Sequence, residues 1–280
     1  SDVGTMSLLG YDPSRYHTGR SPIEAASMGI ELEPTDIAFR CNLVTLGKDA
    51  TGTEIMEDFS AGHITSAEAS ELIQTINHEL GTSELAFCPG VSYRHLLVWH
   101  GGNEKMQTTP PHDITGQAFA GYLPAGEGSE TLLALMQHSR TILADHPVNK
   151  KRQADGHKPA SSIWLWGQGR RPAVPTIHER FGLDGSVISA VDLVRGLGVL
   201  AGLEVILVPG ATGFLDTNYL GKAEYGLESL KRKDFLFLHV EATDEAGHMG
   251  AADKKVQALE DFDQKVVGTI LAGLRDHAEW

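Results

Sequence analysis

In the second half of the chain, short apolar runs alternate with stretches whose apolar residues recur at helical spacing. The apolar runs predict strands at 187–191, 203–208 and 234–240. The helical patterns lie at 192–201, near 222–231 and at 252–274. Strands that alternate with helices in this way predict a parallel α/β unit.

The first half has a different pattern, with a capped helix predicted at 65–80, a second helix at 129–143 and strands at 85–88, 93–100 and 162–166. These elements predict an α+β arrangement. The polar segment 145–160 is predicted to be a solvated loop because of its charge run. Ser21, Pro22 and Glu24 have the cap, first-turn proline and third-position glutamate of a helix start, and we interpret them as structural.

The last predicted strand gives way to the polar stretch HVEATDEAGH at 239–248. Ligands of parallel sheets bind beyond the carboxyl ends of the strands. Asp244 and His248 could give one oxygen and one nitrogen ligand to a divalent ion if Gly247 lets a loop turn tightly. The bare Asp-x-x-x-His pattern is weak, because an acid beside a helix start is favourable without a metal. His239 is interpreted as a hydrogen-bonded, buried strand residue.

Basic residues beside glycines or in turn-like contexts form a second set of candidates, since guanidinium groups suit phosphate and carboxylate oxygens. They are Arg20, Arg40, Arg94, Arg170, Arg171 and Lys222. Any one arginine alone is more often a surface residue. A serine near a metal, such as Ser1, is a candidate phosphoryl nucleophile. His112 is a candidate for acid–base or substrate contact, although most loop histidines do neither.

Composition limits the function. The chain has 280 residues, 41% of them hydrophobic and 21% charged, and a formal net charge of −14, which argues against nucleic-acid or anionic-membrane partners. No predicted membrane span or secretory signal occurs, and two separated cysteines predict a cytoplasmic protein with structural thiols. Gly196 and Gly198 fall inside a helical pattern, so we reject a dinucleotide site. Oligomeric state stays open.

Several stretches together resemble one family. They are SDVGTMSLLGYDP (1–13), GRSPIEAASMGI (19–30), AFRCNLVT (38–45), WLWGQGR (164–170), GATG (210–213), DTNY (216–219) and HVEATDEAGH (239–248). This set resembles the archaeal-type, cofactor-independent (2,3-bisphosphoglycerate-independent) phosphoglycerate mutases of the alkaline phosphatase superfamily. The resemblance extends over nearly the whole chain.

The resemblance implies a partial alkaline-phosphatase-like parallel sheet with helices, formed by 1–32 and 176–280, plus an inserted α+β substrate-binding lid at 33–175. It implies a site for two divalent metal ions, manganese or zinc, with Ser1 as nucleophile and metal ligand, and Asp244 and His248 as further ligands. A small phosphorylated acid would be the substrate, and closure of the lid would exclude water. The predicted substrate-binding residues are Arg20, Arg40, Arg94, Arg170 and Lys222.

The sequence also departs from the family. An aspartate ligand should precede Ser1, and an Asp-His pair and a final histidine should follow Trp280. Asp276 and His277 do not match that pair. We therefore predict that the chain is a fragment with at most part of the metal site, and that it is inactive on its own.

Other functions stay open at this stage. The same resemblance allows phosphatase or sulfatase hydrolysis, or a homoserine-phosphorylating relative, because only the lid decides among them. A non-catalytic metabolite-binding module is the alternative from a different class. It would keep the lid and lack the complete metal set.

Overall fold

The computed structural model describes residues 2–275, which divide into two compact units. The first, here called the parallel unit, contains the residues up to His17, Ala26–Gly29 and the chain from Ala173 onward. The second, the antiparallel unit, contains Thr18–Ala25 and Ile30–Pro172. None of the helices within residues 2–275 has the length and apolar character needed to cross a membrane.

The helices are α1 (Asp2–Leu8), α2 (Pro13–Tyr16), α3 (Ser21–Ser27), α4 (Ser66–Leu80), α5 (Ser129–Ala144), α6 (Pro147–Ala154), α7 (Ile177–Phe181), α8 (Asp192–Leu200), α9 (Tyr219–Leu230), α10 (Ala242–His248), α11 (Ala252–Asp261) and α12 (Gly268–Leu274). The strands are β1 (Ile37–Lys48), β2 (Glu54–Asp58), β3 (Leu85–Val91), β4 (Arg94–Trp99), β5 (Ser162–Gly169), β6 (Gly185–Ile188), β7 (Glu204–Val205) and β8 (Phe235–Leu238).

The antiparallel unit is organised around the long strand β1. Five strands form its sheet in the order β2-β1-β4-β3, and β5 also pairs with β1. Over its first half β1 lies between β4 and β5, and its last residues pair with β2 after a bulge at Thr45 and Leu46. Antiparallel pairing with flanking helices confirms the predicted α+β arrangement.

One face of β1 carries the core of this unit. Ile37, Phe39, Cys41 and Leu43 are fully buried in one cluster with residues of α4 and β5. Successive strand residues point to opposite faces, so Arg40 lies on the other face. Burial raises the pKa of the Cys41 thiol, which keeps it protonated at neutral pH, as expected for a structural cysteine.

Helix α4 has the capped start that the sequence predicts. The Thr65 side chain accepts a hydrogen bond from the Glu68 backbone amide, and Glu68 reaches back to the Thr65 backbone. This reciprocal capping satisfies two amides that the helix itself cannot pair. Helix α3 also begins at the predicted place, but Ser21 is its first residue and not its cap, and the Ser21 hydroxyl donates to the Gly167 carbonyl.

The prediction of a solvated loop at 145–160 is wrong. Pro147 opens helix α6, and the His146 ring accepts a hydrogen bond from the Val148 amide as its cap. Arg152 is buried, with Nη1 donating to Glu68 at 2.8 Å and its other nitrogens donating to backbone carbonyls. The charge run therefore contains an internal ion pair whose acid is distant in sequence, which the local pattern does not reveal.

The parallel unit has a three-stranded sheet in the order β7-β6-β8, and both pairings are parallel. The central strand β6 is buried along its whole length, as expected for a parallel strand covered on both faces. The predicted strand at 203–208 is shorter, because only Glu204–Val205 pairs in the sheet. The predicted long helix at 252–274 is confirmed, with a π-helical turn at Phe262–Val267 between α11 and α12.

Candidate functional site

A glycine lets the chain before α3 lie directly against the end of β5. A Cβ atom on Gly19 would lie 2.2 Å from the carbonyl oxygen of Gln168, and Gly19 has a φ of +133°, which side-chain-bearing residues rarely adopt. On the other side of Arg20, Ser21 Oγ donates to the Gly167 carbonyl at 2.5 Å. Arg20 is therefore held between two fixed contacts with β5.

Glu24 of α3 binds two arginines through one carboxylate oxygen. Arg20 Nε donates to Glu24 Oε1 at 3.0 Å, and Arg40 Nη1 donates to the same oxygen. Arg20 precedes Glu24 by four residues, a spacing that brings side chains together at a helix. Arg40 comes from β1 and is only 3% exposed. The carboxylate thus joins α3 to the sheet.

Both guanidinium groups also lie near the ring of Trp166 on β5. The Cζ atom of Arg40 is 5.2 Å from the ring centroid, and that of Arg20 is 6.0 Å from it. Trp166 Nε1 donates to Asn42 Oδ1 at 3.1 Å, which fixes the indole. Cations over an indole face are stabilised electrostatically, so the ring supports a buried positive group here.

Arg40 has a buried donor that no described residue pairs. Its Nε is buried and has no hydrogen-bond partner within the described part of the chain. Burial lowers the pKa of the Arg40 guanidinium, Glu24 opposes that shift, and the charges of Arg20 and Arg94 add to it. We call Arg20, Arg40, Arg94 and Glu24 the arginine cluster. Three cations and one anion leave it positive, which suits an anionic ligand.

Arg94 belongs to the same sheet face as Arg40. It lies opposite Asn42 across the β1–β4 pairing, and Asn42 follows Arg40 by two residues. Residues two apart on a strand, and residues directly opposite across a pair, share a face. The register of the sheet therefore gathers predicted substrate residues that are 54 positions apart in sequence, Arg40 and Arg94.

Two histidines lie near the cluster, His95 on the core face of the sheet opposite Cys41 and His112 beside Trp166. The backbone amide of Gly90 donates to His95 Nδ1 at 2.9 Å, so this nitrogen is unprotonated. Burial, together with the positive charges of Arg40 and Arg94, lowers the pKa of His95 to about 3. His95 is thus neutral at pH 7, with the proton on Nε2. The ring of the other histidine, His112, meets that of Trp166 edge-on, with the ring centroids 5.4 Å apart.

Burial also lowers the pKa of His112, while Asp113 opposes the shift and the cations of the arginine cluster add to it. His112 is about half exposed, unlike the buried His95. His112 lies beside Trp166, so this candidate for acid–base or substrate contact is at the border of the arginine cluster.

Arg170, another predicted substrate residue, has other partners. Its Nε donates to Glu104 at 2.9 Å, and its Nη1 donates to the Pro34 carbonyl at 3.3 Å.

Glu24 was not among the predicted site residues, because its position in the sequence was interpreted as part of a helix cap. The four-residue spacing of Arg20 and Glu24 is the signal that could have identified it.

The Asp244–His248 pair lies in the parallel unit, beyond the carboxyl end of β8. His248 Nε2 is 3.1 Å from Asp244 Oδ2, and the side chains are 73% and 62% exposed. The expected loop turning at Gly247 is wrong, because these residues form helix α10. A helix brings positions four apart onto one face, so the two side chains converge without the tight turn.

Four polar residues meet at the ends of β6 and β8, just before α10. His239 follows β8; its Nδ1 is 3.1 Å from Ser189 Oγ, and its Nε2 is 3.0 Å from Glu241. Lys222, a predicted substrate residue, is buried and donates to the His239 carbonyl at 3.2 Å. Burial lowers the pKa of His239, and the charge of Lys222 adds to this shift.

The donor types of the Asp244–His248 pair suit a divalent metal ion, with one carboxylate oxygen and one imidazole nitrogen. The number of donors is incomplete. Among residues 2–275, no group of three or more histidine, cysteine, aspartate or glutamate side chains is placed to hold a metal. Protein metal sites of this kind use three or four ligands, so the pair is at most part of one.

Ser1, the predicted nucleophile and metal ligand, lies outside the described residues, as do Asp276 and His277. The next residue, Asp2, opens α1 and lies 2.9 Å from His17 Nε2. Burial raises the pKa of the Asp2 carboxyl, but hydrogen bonds from His17 and the backbone outweigh burial and lower it. Asp2 is therefore ionised at neutral pH.

Comparisons with known proteins give a consistent result. The family model described as 2,3-bisphosphoglycerate-independent phosphoglycerate mutase matches residues 1–149. A probable 2,3-bisphosphoglycerate-independent phosphoglycerate mutase of Geobacter sulfurreducens is 56% identical over 274 residues, covering 98% of this chain and 68% of the relative. An enzyme of that name from Methanosarcina acetivorans is 52% identical over 282 residues, covering 100% of this chain and 68% of the relative.

A solved structure agrees with these relatives. The cofactor-independent phosphoglycerate mutase from Thermoplasma acidophilum is 30% identical, with a TM-score of 0.61, covering 97% of this chain and 70% of that one. The mixed α/β architecture is thus similar to that of a solved mutase. The chain spans about two thirds of the length of the curated relatives it matches.

Proposed function

The chain belongs to the 2,3-bisphosphoglycerate-independent phosphoglycerate mutase family, and from this premise we propose that it provides the substrate-binding part and some metal ligands of an enzyme interconverting 3-phosphoglycerate and 2-phosphoglycerate. The observation that carries the proposal is the buried Arg40, whose Nε has no partner among residues 2–275, inside a positively charged cluster. A buried donor without a partner is unfavourable, and a ligand oxygen would satisfy it.

The arginine cluster suits this substrate because 3-phosphoglycerate carries a phosphate and a carboxylate. Each guanidinium offers several N–H donors in a planar fork that matches such oxygens. Glu24 and Trp166 already hold the groups of Arg20 and Arg40, so little side-chain freedom is lost on binding. His112 lies at the border of the cluster, as a neutral ring that can donate or accept a hydrogen bond.

Asp244 and His248 would hold a divalent ion, manganese or zinc, as two of the ligands of a site for two metals. When bound, such ions neutralise phosphoryl charge and lower the pKa of a coordinated hydroxyl. The chain's own contribution is the convergence of these two side chains on α10. His239 and Lys222 line the strand ends behind them and support the start of the helix.

Ser1 is proposed to carry the phosphoryl group. Its oxygen would attack phosphorus, the bond to the 3-oxygen of glycerate would break, and that oxygen would take up a proton. Attack by the 2-oxygen would then return the phosphoryl group and free the serine. The unit containing Arg40 would act as the substrate-binding lid that excludes water, since water would turn the reaction into hydrolysis.

Four finer assignments belong to the same proposal. The parallel unit would be part of an alkaline-phosphatase-like domain, and the protein would be cytoplasmic. Arg170 and Lys222 remain proposed substrate contacts. Each already has a partner, Glu104 and the His239 carbonyl respectively, which it would exchange for substrate.

An assay of two proteins tests the proposed function. A polypeptide with the full length of the relatives should convert 3-phosphoglycerate to 2-phosphoglycerate with manganese present and without releasing phosphate. The 280-residue chain alone should show no turnover, because its described metal ligands are incomplete. Turnover by the chain alone would contradict the incomplete site.

The products also separate the alternatives. Release of free phosphate from phosphomonoesters would identify a phosphatase, and phosphorylation of homoserine with ATP would identify the third activity. Binding of 3-phosphoglycerate without any turnover by the longer protein would identify a binding module. Each of these results would replace the mutase proposal.

A further inference from the structure

We infer that Glu24 is a positioning residue for substrate binding, which fixes Arg20 and Arg40 in the geometry that receives an anionic group of the substrate. The inference rests on the proposed function, since it assigns the arginine cluster to the substrate. It goes beyond that function because an acid inside an anion-binding site is expected to repel the ligand. Glu24 must therefore contribute to substrate binding through the positions that it gives to Arg20 and Arg40.

The geometry shows how one carboxylate controls two cations. Glu24 Oε1 accepts hydrogen bonds from Arg20 Nε and from Arg40 Nη1. Arg40 is almost fully buried, so Glu24 is its neutralising partner at the base of the cluster, whereas Arg20 is 39% exposed and is held in place from one side. Without the carboxylate, Arg20 would be free to extend into solvent, as long cationic side chains usually do.

Burial makes this contact different from a surface ion pair. The side chain of Glu24 is 9% exposed, so its charge is poorly screened by water and its hydrogen bonds are strong. Breaking a buried pair leaves the partner charge uncompensated, which is strongly unfavourable. Arg40 would then reorient to recover solvent or another acceptor, and its Nε would move away from its present position.

Electrostatics and positioning make opposite predictions for Glu24→Gln. Removal of the negative charge raises the net positive charge of the cluster, so attraction alone would tighten the binding of an anion. Loss of the shared acceptor lets both guanidinium groups move, so positioning weakens binding. The sign of the change in affinity therefore separates the two roles.

The 280-residue chain offers a matched control. Arg152 is as buried as Arg40, and its Nη1 donates to Glu68 at 2.8 Å, also in the antiparallel unit. Glu68→Gln removes the same charge from the partner of a second buried arginine outside the arginine cluster, although Glu68 itself is 29% exposed against 9% for Glu24. Any effect of general destabilisation should therefore occur in both glutamine variants, while an effect on binding should occur only in Glu24→Gln.

The experiment has two readouts on the same proteins. Isothermal titration with 3-phosphoglycerate, and separately with inorganic phosphate, gives affinities for wild type, Glu24→Gln, Glu24→Asp and Glu68→Gln. Proton–nitrogen spectra of the arginine Nε–H groups report, without ligand, whether Arg20 and Arg40 are held. We expect Glu24→Gln to weaken 3-phosphoglycerate binding at least about tenfold and to lose the two arginine signals, with Glu68→Gln retaining both properties.

Equal or tighter binding by Glu24→Gln, with wild type binding, would overturn the inference and leave the proposed function standing. Absence of binding by wild type would instead count against the proposed function. In that case the spectra decide the inference alone: retained arginine signals in Glu24→Gln would overturn it, and lost signals would support positioning without this ligand.

Glu24→Asp protects the experiment against a glutamine variant that does not fold. It keeps the charge and shortens the side chain by one methylene, so a purely electrostatic role leaves affinity unchanged. Positioning predicts weaker binding and broadened arginine signals. Unchanged binding and spectra in Glu24→Asp would overturn the inference.

Discussion

The two candidate regions of this chain differ in how far they are built before any ligand arrives. The arginine cluster is held by a sheet register, a buried carboxylate and an indole ring, and Arg40 is 3% exposed. The Asp244–His248 pair lies on a seven-residue helix with both side chains mostly in solvent. One region is an enclosed, positively charged cluster, and the other is an exposed pair with two donor groups.

The two regions differ in what fixes the positions of their side chains. Guanidinium groups buried in a protein require partners, so the fold must supply Glu24 and Trp166 whether or not substrate is present. An exposed aspartate and histidine are well solvated and need no fixed partner. Their order as ligands would come from the metal and from donors beyond the described residues.

The largest expected effect is that of Gly19→Ala. A Cβ at this position meets the Gln168 carbonyl oxygen at 2.2 Å, and the backbone must change its φ of +133°. We expect the free energy of unfolding to fall by more than about 3 kcal/mol. Urea unfolding measures this value.

Gly52→Ala is the matched control, because Gly52 has a φ of +84° but no atom within 4 Å of the added Cβ. It should be destabilised by only about 1 kcal/mol. Equal losses in both variants would show that β5 does not constrain Gly19, and the contrast between the two regions would weaken.

Arg40→Met should have the next largest effect, on binding. Loss of the buried fork removes charge-assisted hydrogen bonds to an anion, so we expect 3-phosphoglycerate binding to weaken roughly a hundredfold. Isothermal titration measures it. Arg232→Met in the parallel unit removes the same charge from an exposed pair with Glu204 and should leave affinity nearly unchanged. Similar losses of affinity in both variants would mean that the cluster acts only through the net charge of the protein.

The pH dependence of stability tests the burial of His95 on the core side of the sheet that carries Arg40 and Arg94. The pKa of His95 is lowered from 6.5 to about 3, so between these values the unfolded chain binds a proton that the folded chain does not. Stability from this group is complete above pH 6.5 and falls as the pH decreases through that window. The slope should be about 1.4 kcal/mol per pH unit.

His95→Gln should flatten this slope relative to wild type in urea unfolding measured at several pH values. Histidine NMR should show that His95 does not titrate near neutral pH. A His95 ring that protonates near its ordinary pKa would show that the arginines and the core do not enclose it as described.

The smallest expected effect is at the Asp244–His248 pair. Asp244→Asn and His248→Gln remove an exposed pair, so unfolding without metal should change by less than about 0.5 kcal/mol. In a polypeptide of the relatives' full length, the same changes should abolish the increase in melting temperature given by manganese. A loss above about 1 kcal/mol without metal would mean that the pair is a structural contact.

Much of the fold could be predicted from local pattern. The capping box of α4 and the alternation of strand and helix after residue 176 are written in adjacent residues. The structure of segment 145–160 could not be predicted locally, because the buried Arg152 pairs with Glu68 and with the Ala61 carbonyl, both distant in sequence. Charge in sequence does not reveal whether its partner is water or another side chain.

The candidate site was predicted in the same uneven way. The chemistry of Arg20, Arg40 and the Asp244–His248 pair could be named from residue types and the family resemblance. The role of Glu24 could not, because its capping pattern and its arginine contacts use the same position. Only the sheet register shows that Arg40 and Arg94 share a face.

The most direct test of the central claim observes the Nε–H group of Arg40 during a titration with 3-phosphoglycerate. That donor is buried and has no partner among the described residues, so substrate should supply one. We expect its proton signal to move downfield and to exchange more slowly with water, in a saturable way, with glycerate giving a weaker response. A signal that stays unchanged while 3-phosphoglycerate binds would contradict the assignment of the arginine cluster to the substrate.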